Sequence, residues 1–378
     1  MVTPLDPPAL DQPRPDLTPP TGRVATRRRV CVVSEVLSGA PDEGLKKFTL
    51  SVGSALLEMH DVTCVSTAAG PPLPGVHQVP APRTFLSPRL RSVLVEAAPH
   101  VLIYAARSST TLMTFARARV LKAYCPGASV VVLGFQARRH SVLQQRLIRR
   151  LTPDLVCVQS PASKEYLEAL GCQAVLIPSG VDLGTFHPVD LGQRRALRAE
   201  HHLLNDIPVV LHVGHLQPGR NIRILADLAA RGTCQVVLVT SSSLEQQPQL
   251  AHELRAAGVV VITSYVPRIE QLYQLADCYL FTVESSNNAI EVPLSVLEAL
   301  ACDLPVVTTR FGGLPALFEQ HPRPGLVFAD STGDLLDAAE RLALSGVRGT
   351  RSLAAPYAWP TVASRLVQQA LSRRRSRD

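Results

Sequence analysis

Short runs of β-branched and other apolar residues alternate with amphipathic stretches along most of the chain, which limits the possible folds severely. The runs predicted to be strands are 30–34, 62–66, 101–104, 130–134, 155–159, 174–177, 208–213, 235–240, 259–263, 278–282 and 305–308. Helical patterns lie between them, for example at 44–58, 109–123, 161–170, 244–256 and 331–344. Alternation of this kind indicates parallel sheets joined by crossover helices.

Eleven strands are too many for one ordinary doubly wound sheet, so the sequence predicts two. The natural boundary is the stretch rich in proline and glycine at 177–189. We therefore predict an α/β chain with two Rossmann-like domains, residues 30–185 and 186–356, facing a central cleft. The first 20 residues contain seven prolines, so residues 1–29 are predicted to be a disordered Pro/Arg-rich tail.

Composition narrows the class of protein further. The apolar runs are far shorter than the roughly 20 residues that a membrane helix needs, and proline and aspartate stand where a signal peptide would be apolar. The eight cysteines form no Cys-x-x-Cys pair, which favours reduced packing thiols over disulfides or a zinc site. We expect a cytoplasmic protein.

The net charge of +7 is concentrated in the tails, since residues 1–29 carry +2 and residues 372–378 carry +3. The remaining +2 argues against a nucleic-acid partner, because a nucleic-acid-binding domain is itself basic. Between Glu96 and Asp154, however, there is no acidic residue. This acid-free span contains nine basic residues, which are Arg107, Arg117, Arg119, Lys122, Arg138, Arg139, Arg146, Arg149 and Arg150. Either it forms a functional basic face, or it reflects a composition biased to arginine.

Phosphate-binding motifs are the next feature to test in Rossmann-like domains. The sequence has no Gly-x-Gly-x-x-Gly after the first strand, no P-loop and no Asp-x-Asp. A bound diphosphate would therefore be neutralised by protein cations and helix N-termini, and we expect no metal. Arg220, shortly after the strand that ends at Gly214, is a candidate phosphate ligand. The alternative is a plain loop.

The stretch from Glu284 to Gly313 is more informative. Pro293 is well placed in the first turn of a helix whose free amides would point at the cleft. Glu298 lies among apolar neighbours and could accept both hydroxyls of a ribose, unless it lies on a solvated helix face. Glu291 is either a ligand of the substrate or merely a partner of the helix dipole.

This stretch resembles the donor-sugar segment of the GT-B glycosyltransferases of retaining family 4. That family has two glutamates separated by seven residues, followed by Ala-Met-Ala-x-Gly-x-Pro-Val-Val. Three further blocks, at 177–188, 211–221 and 357–359, resemble the family's hinge, phosphate motif and tryptophan block in the same order. The resemblance covers residues 30–372. It implies a GT-B fold in which residues 357–372 form a helix that crosses back to the first domain, followed by a basic tail at 373–378.

The resemblance also implies site residues. The diphosphate of a nucleotide-sugar would lie on Arg220 and on the amides around Leu294 and Ser295, with Glu298 on the ribose. Glu291 would bind the sugar near the reacting carbon, so Glu291 and Arg220 are the predicted catalytic residues. No metal or other cofactor is implied, because the sugar nucleotide is a co-substrate.

Other predicted donor contacts follow from the same blocks. Val266 would hold the base, and Gly44 and Gly214 would allow the donor to approach the backbone closely. His215 stands where the family has an arginine, and Arg220 stands where it has a lysine. On the acceptor side, a family histidine is replaced by Gln136, Arg138 or His140, among which the sequence does not choose; a histidine in a loop is also commonly just solvated.

One departure affects Glu291. Only six residues separate Glu291 from Glu298, and the position eight before Glu298 is Ile290. Glu284 is therefore an alternative sugar-binding acid.

The leading functional interpretation is a retaining, metal-independent glycosyltransferase of cell-envelope, glycolipid or polysaccharide assembly. The acid-free span favours an anionic or lipid-linked acceptor, or contact with an anionic membrane on its inner face. Residues 141–151 fit a surface-lying helix or an ordinary helix packed on the sheet. The alternatives are a non-catalytic GT-B module that binds a sugar nucleotide or a partner transferase and, ranked last, a sugar-nucleotide epimerase.

Overall fold

Two parallel sheets form the core of the computed structural model, which describes residues 27–37, 44–136, 138–240, 247–285, 289–320 and 323–375. In the described residues the first sheet has seven strands in the order β3-β2-β1-β4-β5-β6-β7, and the second has six in the order β10-β9-β8-β11-β12-β13. The strands of the first sheet are β1 Arg29–Ser34, β2 Asp61–Ser66, β3 Val76–Gln78, β4 Val101–Ala105, β5 Ser129–Leu133, β6 Leu155–Val158 and β7 Ala174–Leu176. Those of the second are β8 Val209–Val213, β9 Gln235–Val239, β10 Val260–Ile262, β11 Cys278–Phe281, β12 Val306–Thr309 and β13 Leu326–Ala329.

Helices cover the faces of both sheets. Those that follow the strands of the first sheet are α1 Gly44–Met59, α2 Pro88–Ala97, α3 Leu112–Tyr124, α4 Val142–Ile148 and α5 Pro161–Ala169. Those of the second half are α6 Leu191–Glu200, α7 Ile224–Ala230, α8 Pro248–Ala256, α9 Glu270–Leu275, α10 Leu294–Ala301, α11 Leu314–Phe318, α12 Thr332–Ser345, α13 Arg351–Ala354 and α14 Trp359–Arg375. Short 3₁₀ turns lie at Pro218–Arg220 and Ala355–Tyr357.

Burial explains why these runs become strands. β4, β5 and β6 are buried along their whole length, as expected for parallel strands covered by helices on both faces. The eleven predicted strands are all present to within one residue at each end, and β3 and β13 are additional. All eight cysteines are free, and all but the half-buried Cys64 are buried.

The last helix, α14, returns to the first domain. It packs on α1 and β5, and the rings of Trp359 and Phe48 meet edge to face with centroids 5.1 Å apart. A Cβ at Gly180 would come within 2.4 Å of the Trp359 ring, so only glycine fits the hinge at this point. The helix extends to Arg375, three residues into the segment predicted to be a tail.

The predicted N-terminal tail falls mostly outside the described residues, which begin at Arg27, and β1 starts within it at Arg29. Residues 376–378 also lie outside them. Within the described ranges, no helix combines the length and the apolar content needed to cross a membrane.

Candidate active site

A cavity of about 830 Å³ lies between the two sheets, a size common for small-molecule sites. Its walls are the loops after β4, β5, β8, β9 and β10 together with the N-terminal ends of α1 and α10. Ligands of parallel α/β sheets bind outside the carboxyl ends of the strands, and this cavity has that position.

Arg220 is a buried cation in the wall of this cavity. It ends the 3₁₀ turn after β8, is 6% exposed, and its Nε atom has no hydrogen-bond partner among the described residues. Burial lowers the pKa of Arg220 to about 10, so the guanidinium remains charged at neutral pH. No carboxylate in the described part of the chain lies within ion-pair distance of it. A buried guanidinium with no carboxylate beside it has the chemistry to bind an anion.

Gly214 makes room for this guanidinium. It directly follows β8, and its amide donates to the carbonyl of Val239 at 2.9 Å. The adjacent His212 is fully buried, and its Nδ1 donates to the Leu280 carbonyl at 2.7 Å. Burial, together with the nearby Arg220, lowers the pKa of His212 to about 4. This imidazole is therefore neutral and adds no charge beside Arg220.

Glu298 faces the cavity from the second turn of α10. Its residue exposure is 5%, so the alternative of a solvated helix face is wrong. One carboxylate oxygen accepts a hydrogen bond from the Tyr273 hydroxyl at 2.9 Å, and the other forms an ion pair with Lys47 of α1 in the first domain. Both partners fix the orientation of the carboxylate in the cavity wall.

Glu291, in contrast, does not line the cavity. Its Oε1 accepts hydrogen bonds from Ser160 at 2.6 Å and Ser163 at 2.7 Å, at the N-terminus of α5 in the first domain. Its amide donates to the Phe135 carbonyl at 2.8 Å, and burial raises the pKa of its carboxyl. The predicted contact between Glu291 and the sugar is therefore corrected: the side chain points into the interface between the domains. Ile290 takes the position that faces the cavity.

The alternative acid Glu284 does not line the cavity either. It accepts a hydrogen bond from the Asn221 side chain at 3.2 Å in an exposed position. Residues 286–288, which follow it closely, lie outside the described residues.

The three residues predicted for the acceptor side, Gln136, Arg138 and His140, differ in their position relative to the cavity. Gln136 lines the cavity. Arg138 sits behind it and donates to the Gln136 side chain at 3.0 Å and to the Ser108 carbonyl at 3.3 Å. His140 does not line the cavity, because its ring stacks on Tyr166 and is hydrogen-bonded to the Tyr166 hydroxyl and the Thr110 carbonyl.

The remaining predicted donor contacts all line the cavity. They are Gly44, Gly214, His215, Val266, Leu294 and Ser295. Gly44 begins α1, and a Cβ there would make only ordinary contacts, the nearest at 3.6 Å from Ile290. Pro293 caps α10 without a side-chain hydrogen bond, which leaves the first amides of the helix available to a ligand. In the described ranges, no three His, Cys, Asp or Glu side chains cluster in a way that could hold a metal ion.

Sequence reasoning missed Lys47 and Tyr273. Both approach Glu298 from other helices, and Lys47 is 251 positions away along the chain. The pair Lys46-Lys47, directly after the predicted glycine at 44, is the signal that was present in the sequence.

Known proteins resemble this chain in sequence and in fold. Residues 207–345 match the family model described as Glycosyl transferases group 1. The chain is 31% identical over 191 residues to a D-inositol 3-phosphate glycosyltransferase of Actinosynnema mirum, covering 46% of this chain and 44% of the relative. It is 30% identical over 234 residues to a GDP-mannose-dependent alpha-(1-6)-phosphatidylinositol monomannoside mannosyltransferase of Mycolicibacterium smegmatis, covering 56% and 60%. The chain thus spans about half the length of the curated relatives it matches.

Solved structures resemble most of the chain. HepE of Anabaena in complex with UDP-glucose has a TM-score of 0.69 at 17% identity, covering 91% of this chain and 99% of that one. Sucrose-phosphate synthase of Thermosynechococcus elongatus has a TM-score of 0.66 at 19% identity, covering 91% and 98%. At these identities the likeness shows the fold, and the predicted GT-B class is confirmed.

Proposed function

We propose that this chain, whose residues 207–345 match the family model described as Glycosyl transferases group 1, is an enzyme that transfers a sugar from a nucleotide-sugar donor to a hydroxyl group of an acceptor. The observation that carries the proposal is Arg220, a buried and uncompensated cation in the wall of the cleft. A diphosphate supplies the charge that this site lacks. The Mycolicibacterium smegmatis relative is named as GDP-mannose-dependent and the solved neighbour binds UDP-glucose, so both bases are candidates here.

We propose the following arrangement of the donor in the cavity. Its diphosphate lies between Arg220 and the amides of Leu294 and Ser295 at the start of α10. Its ribose lies on Glu298, and its base lies against the backbone around Val266. The sugar then points toward Gly44 and Gln136, where the first domain presents the acceptor.

We propose that transfer retains the anomeric configuration. The bond between the anomeric carbon and the phosphate oxygen breaks, the acceptor oxygen bonds to the same face of the carbon, and its proton passes to the leaving phosphate. Arg220 and the α10 amides stabilise the charge that develops on the departing diphosphate, and they require no metal. Glu291 has no part in this scheme, since its carboxylate is buried against Ser160 and Ser163.

The proposed acceptor is anionic or lipid-linked, as in the assembly of cell-envelope glycolipids. Arg107 lines the first-domain side of the cavity, and both relatives named above have acceptors that carry a phosphate. Part of the acid-free span is neutralised, because Arg117 pairs with Glu35 and Lys122 with Asp154.

The first domain also offers a surface suited to an anionic membrane, and we propose peripheral contact on the cytoplasmic side. In α4 the side chains of Val142 and Leu143 are both 67% exposed, and Ile148 is the buried one. Arg146, Arg149 and Arg150 lie in or directly after the same helix. This combination favours the surface-lying interpretation of the segment over a helix packed along its length on the sheet.

A second candidate function is a non-catalytic module that binds a sugar nucleotide or a partner transferase. The observation that favours it is the apolar Ile290 at the cavity position where the family has its first glutamate. An assay of donor hydrolysis distinguishes the transferase from the non-catalytic module. Purified protein is incubated with UDP-, GDP- and ADP-sugars, with and without EDTA, and released nucleotide is measured. We expect release from one donor that survives EDTA; binding without release from any donor would favour the non-catalytic module.

A further inference from the structure

Lys47 connects the two domains inside the cavity. It lies on α1 of the first domain, and its ammonium group forms an ion pair with Glu298 on α10 of the second. The same ammonium lies 4.9 Å from the ring centroid of Phe186, which is buried within the hinge block at 177–188. Both members of the pair line the cavity.

The pair has a clear electrostatic reason. The Glu298 side chain is 6% exposed, and its other partner, the Tyr273 hydroxyl, is neutral. Lys47 therefore supplies the compensating charge, and its removal would leave a buried carboxylate with one neutral hydrogen bond. The Lys47 side chain itself is 32% exposed, so it can move as the cavity fills.

Several other polar side-chain contacts between the domains lie away from this position. Glu291 meets Ser160 and Ser163, and the Gln159 side chain accepts from the Val292 amide at 2.9 Å. None of these residues lines the cavity, whereas a ligand that reaches Glu298 meets the Lys47 pair directly.

We propose that Lys47 is a positioning residue of the nucleotide site, through which the first domain holds the Glu298 carboxylate and couples nucleotide binding to closure of the cleft. This inference rests on the proposed function, because it takes a nucleoside diphosphate as the ligand at Glu298. A ribose that binds this carboxylate then gains affinity from a residue of the opposite domain.

The test measures the affinity of the full chain for UDP and GDP by calorimetry in Lys47→Met, Lys47→Arg, Glu298→Gln and the double variant Lys47→Met/Glu298→Gln. We expect Lys47→Met to weaken binding about tenfold or more and Lys47→Arg to keep most of the affinity. The double variant should be no weaker than Glu298→Gln, because the two residues act through one contact. Lys164→Met, which removes the exposed pair with Glu168, is the matched control and should bind like wild type.

Small-angle scattering of the nucleotide-free proteins measures the radius of gyration. This shows whether the cleft opens in a protein that is still folded, which a loss of stability alone would not show. We expect the radius of gyration of Lys47→Met to exceed that of wild type and of Lys164→Met while the melting temperature stays above the assay temperature. Wild-type affinity in Lys47→Met, or additive losses in the double variant, would overturn the role of Lys47 and leave the proposed function intact. If the wild-type protein binds neither nucleotide and also releases no nucleotide from the UDP-, GDP- and ADP-sugars, both the role of Lys47 and the proposed function are overturned.

Discussion

The guanidinium of Arg220 packs against the backbone of Gly214 so closely that a Cβ at position 214 would lie 3.3 Å from Cζ of Arg220. The same Cβ would lie 2.9 Å from Nε2 of His212, which is buried and fixed through its other ring nitrogen. The absence of a side chain at Gly214 thus gives the Arg220 guanidinium room to pack against the backbone. The sequence instead predicts that this glycine lets the ligand approach the backbone.

Gly214→Ala should therefore weaken nucleotide binding by displacing Arg220. We expect a loss of about tenfold in affinity for the preferred nucleoside diphosphate, since the nearest neighbours are a buried ring and a buried guanidinium. Calorimetry measures it, and Gly127→Ala is the control because a Cβ there meets nothing within 4 Å. Unchanged binding in Gly214→Ala would show that the site tolerates a shifted Arg220.

The second prediction concerns Glu291 and turnover. Because its carboxylate faces Ser160 and Ser163, Glu291→Gln should change kcat by less than about threefold. A charge-assisted contact to the reacting sugar would instead be worth about 2–3 kcal/mol, or roughly 30- to 150-fold in kcat. Measurement of kcat with saturating donor decides between the small and the large effect of Glu291→Gln. The variant Glu284→Gln, measured in the same assay, tests the alternative sugar-binding acid.

Glu291 should also give stability a distinct pH dependence. Burial raises the pKa of its carboxyl, although the two serine hydroxyls oppose the shift. The folded state therefore binds this proton more tightly than the unfolded state, and its ionisation costs stability as pH rises from about 4.5 through the folded pKa. Urea unfolding at several values between pH 4.5 and 7.5 should show wild type gaining stability relative to Glu291→Gln as the pH falls. The opposite trend would mean that the serines outweigh burial.

The proposed membrane contact of α4 gives the fourth prediction. Val142→Ser/Leu143→Ser should reduce sedimentation with vesicles that contain anionic lipid by about tenfold, because two exposed apolar side chains are lost while the arginines remain. Leu344→Ser, which alters an exposed leucine of α12 in the second domain, should bind like wild type. Equal sedimentation of all three proteins would place the contact elsewhere or show that there is none.

The fold was predictable because its signal is local. Runs such as Val130–Leu133 are apolar throughout and recur between amphipathic stretches, so each strand could be found from its own residues. β3 was not predicted from the sequence because it has only three residues and none of them is buried. β13 was missed because it has only four residues and directly follows a Pro-Gly step, which is a strong turn signal.

The site was predictable only in part, because its geometry depends on distant partners. Arg220 and Glu298 follow from the local motifs, and the structure brings both to the cavity. The direction of Glu291 depends on Ser160 and Ser163, about 130 positions away, and no pattern near 291 contains that information. The same is true of Lys47, whose partner Glu298 lies in the other domain.

The central claim is that Arg220 binds the diphosphate of a nucleotide in the cleft, and calorimetric titration of UDP and GDP tests it most directly. In Arg220→Ala the preferred nucleotide should lose about 2–4 kcal/mol of binding free energy, while Arg220→Lys keeps part of it. The control is Arg223→Ala, three residues after Arg220 along the chain. It removes only an exposed ion pair with Glu253 and should bind like wild type. Equal affinity of wild type and Arg220→Ala would contradict the account.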